Sequence, residues 1–361
     1  MKWFAQQKLK FKNTAEDCRR IYKSHTQQIF GLDIGTSAVK LVQLRKDENG
    51  YSLVAAETAY IEQTNETSEL DRINTAIRKC VTSSKVNSRL AVCGVCGQET
   101  AVRNFVFPAL LPEEIDGAVR FEAKQVCPFN SDDGVIDYQV ISSSEKEVKG
   151  YLVVATNNII KQKNTFVKKS SLDNVLMDFD GLALINCLRN CGDYEKGKTS
   201  AILNVGTSYA TLVIISDDKL PFVRDLNYAG KEIIKYLAAQ NDVAPEILED
   251  YLRGKNPANI QVEINANLES ACQKLINNVT ETLYYDAVRR KSELVNKIYL
   301  CGGLALVNGF ADLLKSKLPA LTVLWNPFDK IQCDSSLPAF DALHAKGPAF
   351  AVAAGLAMRQ I

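Results

Sequence analysis

The pattern Asp33-Ile34-Gly35-Thr36-Ser37 follows one apolar run and precedes another, Val39-Lys40-Leu41-Val42. It returns about 170 positions on as Asn204-Val205-Gly206-Thr207-Ser208, between Ile202-Leu203 and Ala210-Thr211-Leu212-Val213. Each copy predicts a strand, a tight turn and a second strand. In such a turn glycine lets the backbone approach a ligand closely, and the N–H groups and hydroxyls of Thr and Ser aim at phosphate oxygens. Asp33, at the end of the first strand, has the chemistry to hold Mg2+ or its waters. One copy alone is equally an ordinary β-hairpin with a polar turn. Two copies make the chain an internal duplication. A third element, Ile298-Tyr299-Leu300-Cys301-Gly302-Gly303-Leu304, reads as a buried strand ending in Gly-Gly, with a loop and a helix after it.

Two phosphate hairpins followed by a strand ending in Gly-Gly are the layout of the actin, heat-shock chaperone and sugar-kinase superfamily, which this chain resembles. The resemblance implies an α/β, actin-like, two-lobed fold with duplicated ribonuclease-H-like domains of sheet and helix. It implies ATP with Mg2+ between the lobes. Gly35, Thr36, Ser37 and Lys40 would contact it from the first half. Asn204, Gly206, Thr207, Ser208 and Gly230 would do so from the second, with Gly302, Gly303 and Leu304 beside the adenosine and Asp33 at the metal. Lys40 is alternatively a surface strand residue, since Val39 and Leu41 point the other way.

Within the superfamily the chain is similar to the type IV pilus assembly protein PilM family, relatives of the cell-division protein FtsA. Four stretches carry the similarity: Val119-Arg120-Phe121-Glu122-Ala123-Lys124-Gln125-Val126-Cys127-Pro128-Phe129, then Tyr151 to Thr156, Val175 to Leu184, and Gly347 to Arg359. The first is the most family-specific, and the similarity spans residues 29–361. It implies an FtsA-like 1C insert and a scaffold that binds the cytoplasmic N-terminal tail of a PilN-like inner-membrane protein. The tail would dock on the first half near Phe121, Pro128 and Phe129, where Pro128 ends a helix. Phe121 and Phe129 are alternatively core of the insert. Self-association is left open. The alternative function is an FtsA-like filament former, which would carry a C-terminal amphipathic helix. This chain ends at Met358-Arg359-Gln360-Ile361. No sugar-kinase signature is present.

The implied organisation is a basic extension (1–28), subdomain 1A (29–97), the 1C insert (98–172), a return to 1A (173–198), subdomain 2A (199–228), a mostly helical 2B cap (229–290), the second part of 2A (291–345), and a last helix of 1A (346–361). Ser68 is the expected N-cap of a helix near 69–82. The stripe Leu268, Cys272, Leu275, Val279 and Leu283 reads as the buried face of the last cap helix. Related ATPases use one acidic residue at each hairpin's strand end. Asp33 fills the first place, but Asn204 stands in the second. An amide adds no charge and cannot act as a base, so weak or absent ATP hydrolysis is expected. Asp178 and Asp180 in the connecting segment are either near the site or capping residues.

Composition narrows the function further. Lys and Arg number 43 against 42 Asp and Glu, a formal net charge of +1, so no global field favours nucleic acid. No apolar run approaches the roughly 20 residues of a membrane span, and the N-terminus lacks a signal-peptide core. The expectation is a cytoplasmic protein, peripheral to the inner membrane. Ten cysteines are scattered and read as reduced thiols, and Cys93-Gly94-Val95-Cys96 lacks the second pair that a zinc site needs. With only His25 and His344, histidine-dependent nucleophilic catalysis is not expected. Residues 1–24 carry seven Lys or Arg against Glu16 and Asp17, with Trp3, Phe4, Leu9 and Phe11 interleaved. That stretch is either a solvated extension or a weak, salt-sensitive contact for anionic lipid.

Overall fold

The computed structural model describes residues 29–359 except 49, 63–66, 218, 255–262, 291–292 and 338. The expected basic extension, with its short helix near Thr14 to Lys23, lies outside the described residues. The first lobe opens with β1 (Phe30–Ile34), β2 (Ala38–Asp47), β3 (Gly50–Tyr60), α1 (Glu69–Ser84) and β4 (Leu90–Val95). Ser68 caps α1 by accepting from the Asp71 N–H. The insert follows as β5 (Thr100–Pro108), α2 (Pro112–Val126), β6 (Gly134–Ser143) and β7 (Glu147–Thr156). The chain returns through α3 (Asn157–Lys169), β8 (Asp173–Phe179) and α4 (Asp180–Asn190).

The second lobe repeats the plan with β9 (Ser200–Val205), β10 (Ala210–Ile215) and β11 (Phe222–Leu226). Three cap helices follow: α5 (Gly230–Gln240), α6 (Pro245–Leu252) and α7 (Ile264–Arg290). Then come β12 (Lys297–Cys301), α8 (Phe310–Lys317) and β13 (Leu321–Leu324). Last are α9 (Phe340–Lys346) and α10 (Ala351–Ala357).

The two five-stranded sheets share one topology, β3-β2-β1-β4-β8 and β11-β10-β9-β12-β13. In each, the first three strands form an antiparallel meander, and two further strands add in parallel to the first. The strands near the middle of each sheet are covered on both faces, which explains their near-continuous apolar runs. The duplication extends to single residues. Asp33 is registered opposite Lys40, and Asn204 opposite Thr211.

The helix α10 is buried along its whole length and packs on β1 and α4. Small residues allow this. A side chain at Gly31 would collide with the Ala353 carbonyl, and one at Gly355 with the backbone of Ala183. Asp178, fully buried at the end of β8, is ion-paired to Arg359 at 2.7 Å, so it fastens the chain's last helix to the first sheet. Burial raises its carboxyl pKa, and the Arg359 charge offsets part of that.

The insert is a three-stranded antiparallel sheet, β5-β7-β6, with α2 laid over it around Phe105, Val119, Leu152 and Val154. The helix α3 falls within the stretch assigned above to the insert, yet Phe166, Val167 and Leu172 pack with Phe30, Leu32 and Ile77 of the first lobe. In the cap, Leu268, Cys272, Leu275, Val279 and Leu283 are all buried against α5 and the second sheet.

Candidate functional site

Both glycine turns close by the same bond. The Gly35 N–H donates to the Ala38 carbonyl at 3.1 Å, and the Gly206 N–H to the Tyr209 carbonyl at 3.0 Å. The lobes bring the turns face to face. The hydroxyls of Ser37 and Thr207 lie 2.7 Å apart, and Ser208 Oγ donates to Thr36 Oγ1 at 3.0 Å. The four turn hydroxyls, separated in sequence by about 170 positions, therefore form two pairs across one cleft.

That cleft has a volume of about 630 Å³, and every residue expected at a nucleotide lines it: Asp33, Lys40, Asn204, Gly230, Gly302, Gly303, Leu304 and both turns. The start of α5 is pinned to the second turn. The Gly230 N–H donates to the Gly206 carbonyl at 3.0 Å and the Lys231 N–H to the Thr207 carbonyl at 2.6 Å. A Cβ at Gly230 would come within 2.9 Å of that Gly206 oxygen, so only glycine fits there without a shift. Gly302 has φ of +97°, a conformation open to glycine, and a side chain on it would collide with Val205. Gly303 differs: nothing lies within 4 Å of where its Cβ would stand.

Charge in the cleft is concentrated on the first lobe. Lys40 Nζ is 3.0 Å from Asp33 Oδ2, with side chains only 16% and 15% exposed, so Lys40 faces the cleft and not the outer surface. Two further charged groups escaped the sequence reading. Lys163, on α3, donates from Nζ to the Ile34 carbonyl at 2.6 Å, inside the same cleft. Its signal was a lysine at helical spacing among Ile160, Phe166 and Val167, a face that is otherwise buried. Asp225 sits on β11. It accepts from the Gly97 N–H and from the Thr211 hydroxyl, both at 2.7 Å, and so joins the second hairpin to the entry of the insert. Its signal was one acid within the half-buried strand Phe222–Leu226. Burial raises the Asp225 pKa, and those donors pull it back.

Asp180, the first residue of α4, lines the cleft while Asp178 turns away to Arg359. Its Oδ1 is buried, and the Cys96 thiol is hydrogen-bonded to its carboxyl. Gly94 makes room for it, since a side chain there would collide with that oxygen. Burial, and then the nearby charge of Asp33, push the Asp180 carboxyl up to about 7, with Lys163 acting in the opposite sense. Asn204 carries no charge and accepts weakly from the Cys301 thiol at 3.7 Å.

These residues fit a magnesium nucleotide. Two glycine turns with four hydroxyls match phosphate oxygens, and two like-charged carboxylates, Asp33 and Asp180, in a buried cleft are relieved by a divalent cation. Among the described residues no three His, Cys, Asp or Glu side chains are grouped to hold a metal by themselves. The ion would then be held mainly through phosphate and water, as is usual for Mg2+.

A second cavity, of about 440 Å³, lies where β5 of the insert runs beside β11 and the start of α4. Val102, Arg103, Pro128, Val223, Arg224 and Asp225 line it, and Gln98 lines both cavities. Of the three expected partner contacts, only Pro128 is there. Phe121 stands on the outer face of α2, 67% exposed, and Phe129 packs into the insert's own apolar cluster.

Residues 31–361 match the family model described as type IV pilus assembly protein PilM. The chain belongs to this family. The solved PilM–PilN type IV pilus biogenesis complex matches with a TM-score of 0.77 at 23% identity, covering 92% of this chain and 98% of that one. A diol dehydratase-reactivating factor in nucleotide-free form matches with a TM-score of 0.50 at 11% identity, covering 91% and 98%. These likenesses establish the actin-like fold of this PilM-family member. Among the described residues no helix is long and apolar enough to cross a membrane.

Proposed function

We propose that this PilM-family chain is an ATP-binding scaffold of a type IV pilus assembly platform, working at the cytoplasmic face of the inner membrane. The observation that carries the reading is the pairing of the two glycine turns, hydroxyl to hydroxyl, in a cleft that also holds Gly302 and Gly303. Nucleotide phosphates would take over the turn hydroxyls from each other. Lys40 and Lys163 would face the phosphate charge, and Asp33 and Asp180 would hold the magnesium hydration shell. Magnesium, when bound, supplies charge neutralisation. Hydrolysis would be slow, because the second strand end offers the Asn204 amide where a carboxylate is expected.

The test is calorimetry with MgATP on wild type and Gly303→Glu. The open space at Gly303 lets a glutamate be accommodated without disturbing the fold, while placing its charge in the cleft. Binding should be lost in a variant that melts like wild type. Unchanged affinity would refute the site.

The partner in this reading is the cytoplasmic tail of a PilN-like protein, docked in the groove between the insert and the core. The groove has apolar walls at Val102, Pro128 and Val223 and two guanidinium groups, Arg103 and Arg224. It suits an extended segment with apolar anchors and acidic side chains. A photo-crosslinker at Val102 should capture such a peptide. Crosslinks confined to the α5–α7 cap would overturn the placement.

A further inference from the structure

Charge is nearly balanced over the whole chain, but it is sorted. Residues 78–89 carry Arg78, Lys79, Lys85 and Arg89 with no acid, and residues 157–172 carry four lysines with no acid. The fold brings these two segments to one corner of the first lobe. Arg78 donates to the Lys169 carbonyl at 2.6 Å, and Arg89 Nε to the Ser171 carbonyl at 2.8 Å. The helices α1 and α3 pack against each other there. Lys163 turns inward to the cleft, but Arg78, Lys79, Lys85, Arg89, Lys168 and Lys169 are all exposed.

None of these six is in an ion pair with a described residue. Several exposed lysines elsewhere are paired, as in Lys124–Asp132, Lys149–Glu147, Lys198–Glu195 and Lys317–Glu269. The only acid among residues 157–173 is Asp173. The first described residue lies at the same corner. Phe30 pairs with Ala91 in parallel, so Ile29 arrives beside Leu90 and Arg89.

We infer that this corner is a docking surface for an anionic lipid bilayer. Six exposed cations, without an ion pair among the described residues, spread over two adjacent helix ends and a loop and complement a continuous plane of headgroup phosphates. The inference is separate from the nucleotide reading and uses none of its residues.

The experiment is co-sedimentation of the full chain with vesicles of phosphatidylglycerol in phosphatidylcholine, against vesicles of phosphatidylcholine alone. It compares wild type with the triple variant Lys79→Gln, Lys168→Gln, Lys169→Gln, whose side chains make no hydrogen bond among those described. Each basic residue at an anionic surface changes the partition coefficient about fivefold, so the triple variant should bind on the order of a hundredfold more weakly. Wild-type binding should weaken as salt is raised. Each single variant, expected to lose about fivefold, replaces the triple one if circular dichroism shows that it does not fold. Equal partitioning of variant and wild type overturns the proposal. So does equal binding to neutral vesicles, or displacement from the vesicles by duplex DNA at matched phosphate concentration, which would make the corner a nucleic-acid surface.

Discussion

In the first hairpin, Asp33 faces Lys40 across the β1–β2 register and is paired with it at 3.0 Å. At the matching positions the second hairpin has Asn204 and Thr211, and its carboxylate comes from one strand further out. Asp225, registered opposite Thr211, takes that hydroxyl and the Gly97 N–H, and it faces the groove and not the cleft. The two halves thus keep one backbone design, down to the bond that closes each turn, while their charges have separate tasks. The first half holds its acid and its lysines where a ligand's charge would be. The second uses its acid to fasten the insert to the other lobe.

The largest expected break in this comparison is Asp225→Ala. It leaves the Gly97 N–H without its acceptor and a buried Thr211 hydroxyl unpaired, at about 1–3 kcal/mol for each buried orphan. Urea denaturation should show a loss of about 2–6 kcal/mol. A loss within error would mean that Asp225 does not tie the lobes.

Next is Asp180→Asn in nucleotide-free protein. The folded carboxyl titrates at about 7, above its ordinary 3.8, so the unfolded chain ionises more readily. Wild-type stability is therefore full at low pH and falls as pH rises from about 4 to about 7. The asparagine form escapes that fall. Its advantage in unfolding free energy should grow from pH 5 to pH 8 by an amount on the order of 1–3 kcal/mol, since a tenfold difference in proton affinity is worth about 1.4 kcal/mol. Urea denaturation across that pH range measures it. A difference independent of pH would contradict the raised titration of the buried carboxyl.

A smaller effect is expected from Asn204→Asp, which gives the second strand end the acid of the first. Magnesium-dependent ATP binding should tighten by about 1 kcal/mol, the value of one added charge at about 4 Å in a water-like medium. Calorimetry with and without Mg2+ reads this directly, and an unchanged magnesium dependence would show that Asn204 lies off the metal's path.

The smallest is the link between the turns themselves. A double-mutant cycle of Ser37→Ala and Thr207→Ala should give a coupling of about 0.5–1.5 kcal/mol without nucleotide. The coupling should disappear with MgATP bound, when each hydroxyl has a phosphate partner. A coupling that persists in the complex would place the phosphates elsewhere.

Local order by itself determined a good deal. Gly-Thr-Ser turns between apolar runs specify hairpins, and the second copy specifies a duplicated lobe. Ser68 before the apolar-periodic stretch specifies the start of α1, and the Leu268–Leu283 stripe specifies a buried helix face. These are patterns of a few neighbouring residues, set by turn geometry and by side-chain period. The Gly302-Gly303 pair was legible too, although only the structure separates the glycine that cannot carry a side chain from the one that can.

What tertiary structure decided is how distant segments share one cleft and one groove. Lys163 reaches Ile34 across 129 positions, and Asp225 reaches Gly97 across 128. No local pattern encodes such pairs, because a charged side chain in a helix or strand reads alike whether it meets solvent or a buried carbonyl. Phe121 and Phe129 show the same limit from the other side. Their sequence context marks a helix end, but whether an aromatic there lines a groove, fills the insert or faces solvent depends on how β5, β11 and α4 come together. Desolvation and Coulomb interaction act through space, so the titration of Asp180, the tying role of Asp225 and the clustered cations of the first lobe's corner exist only once the chain has folded.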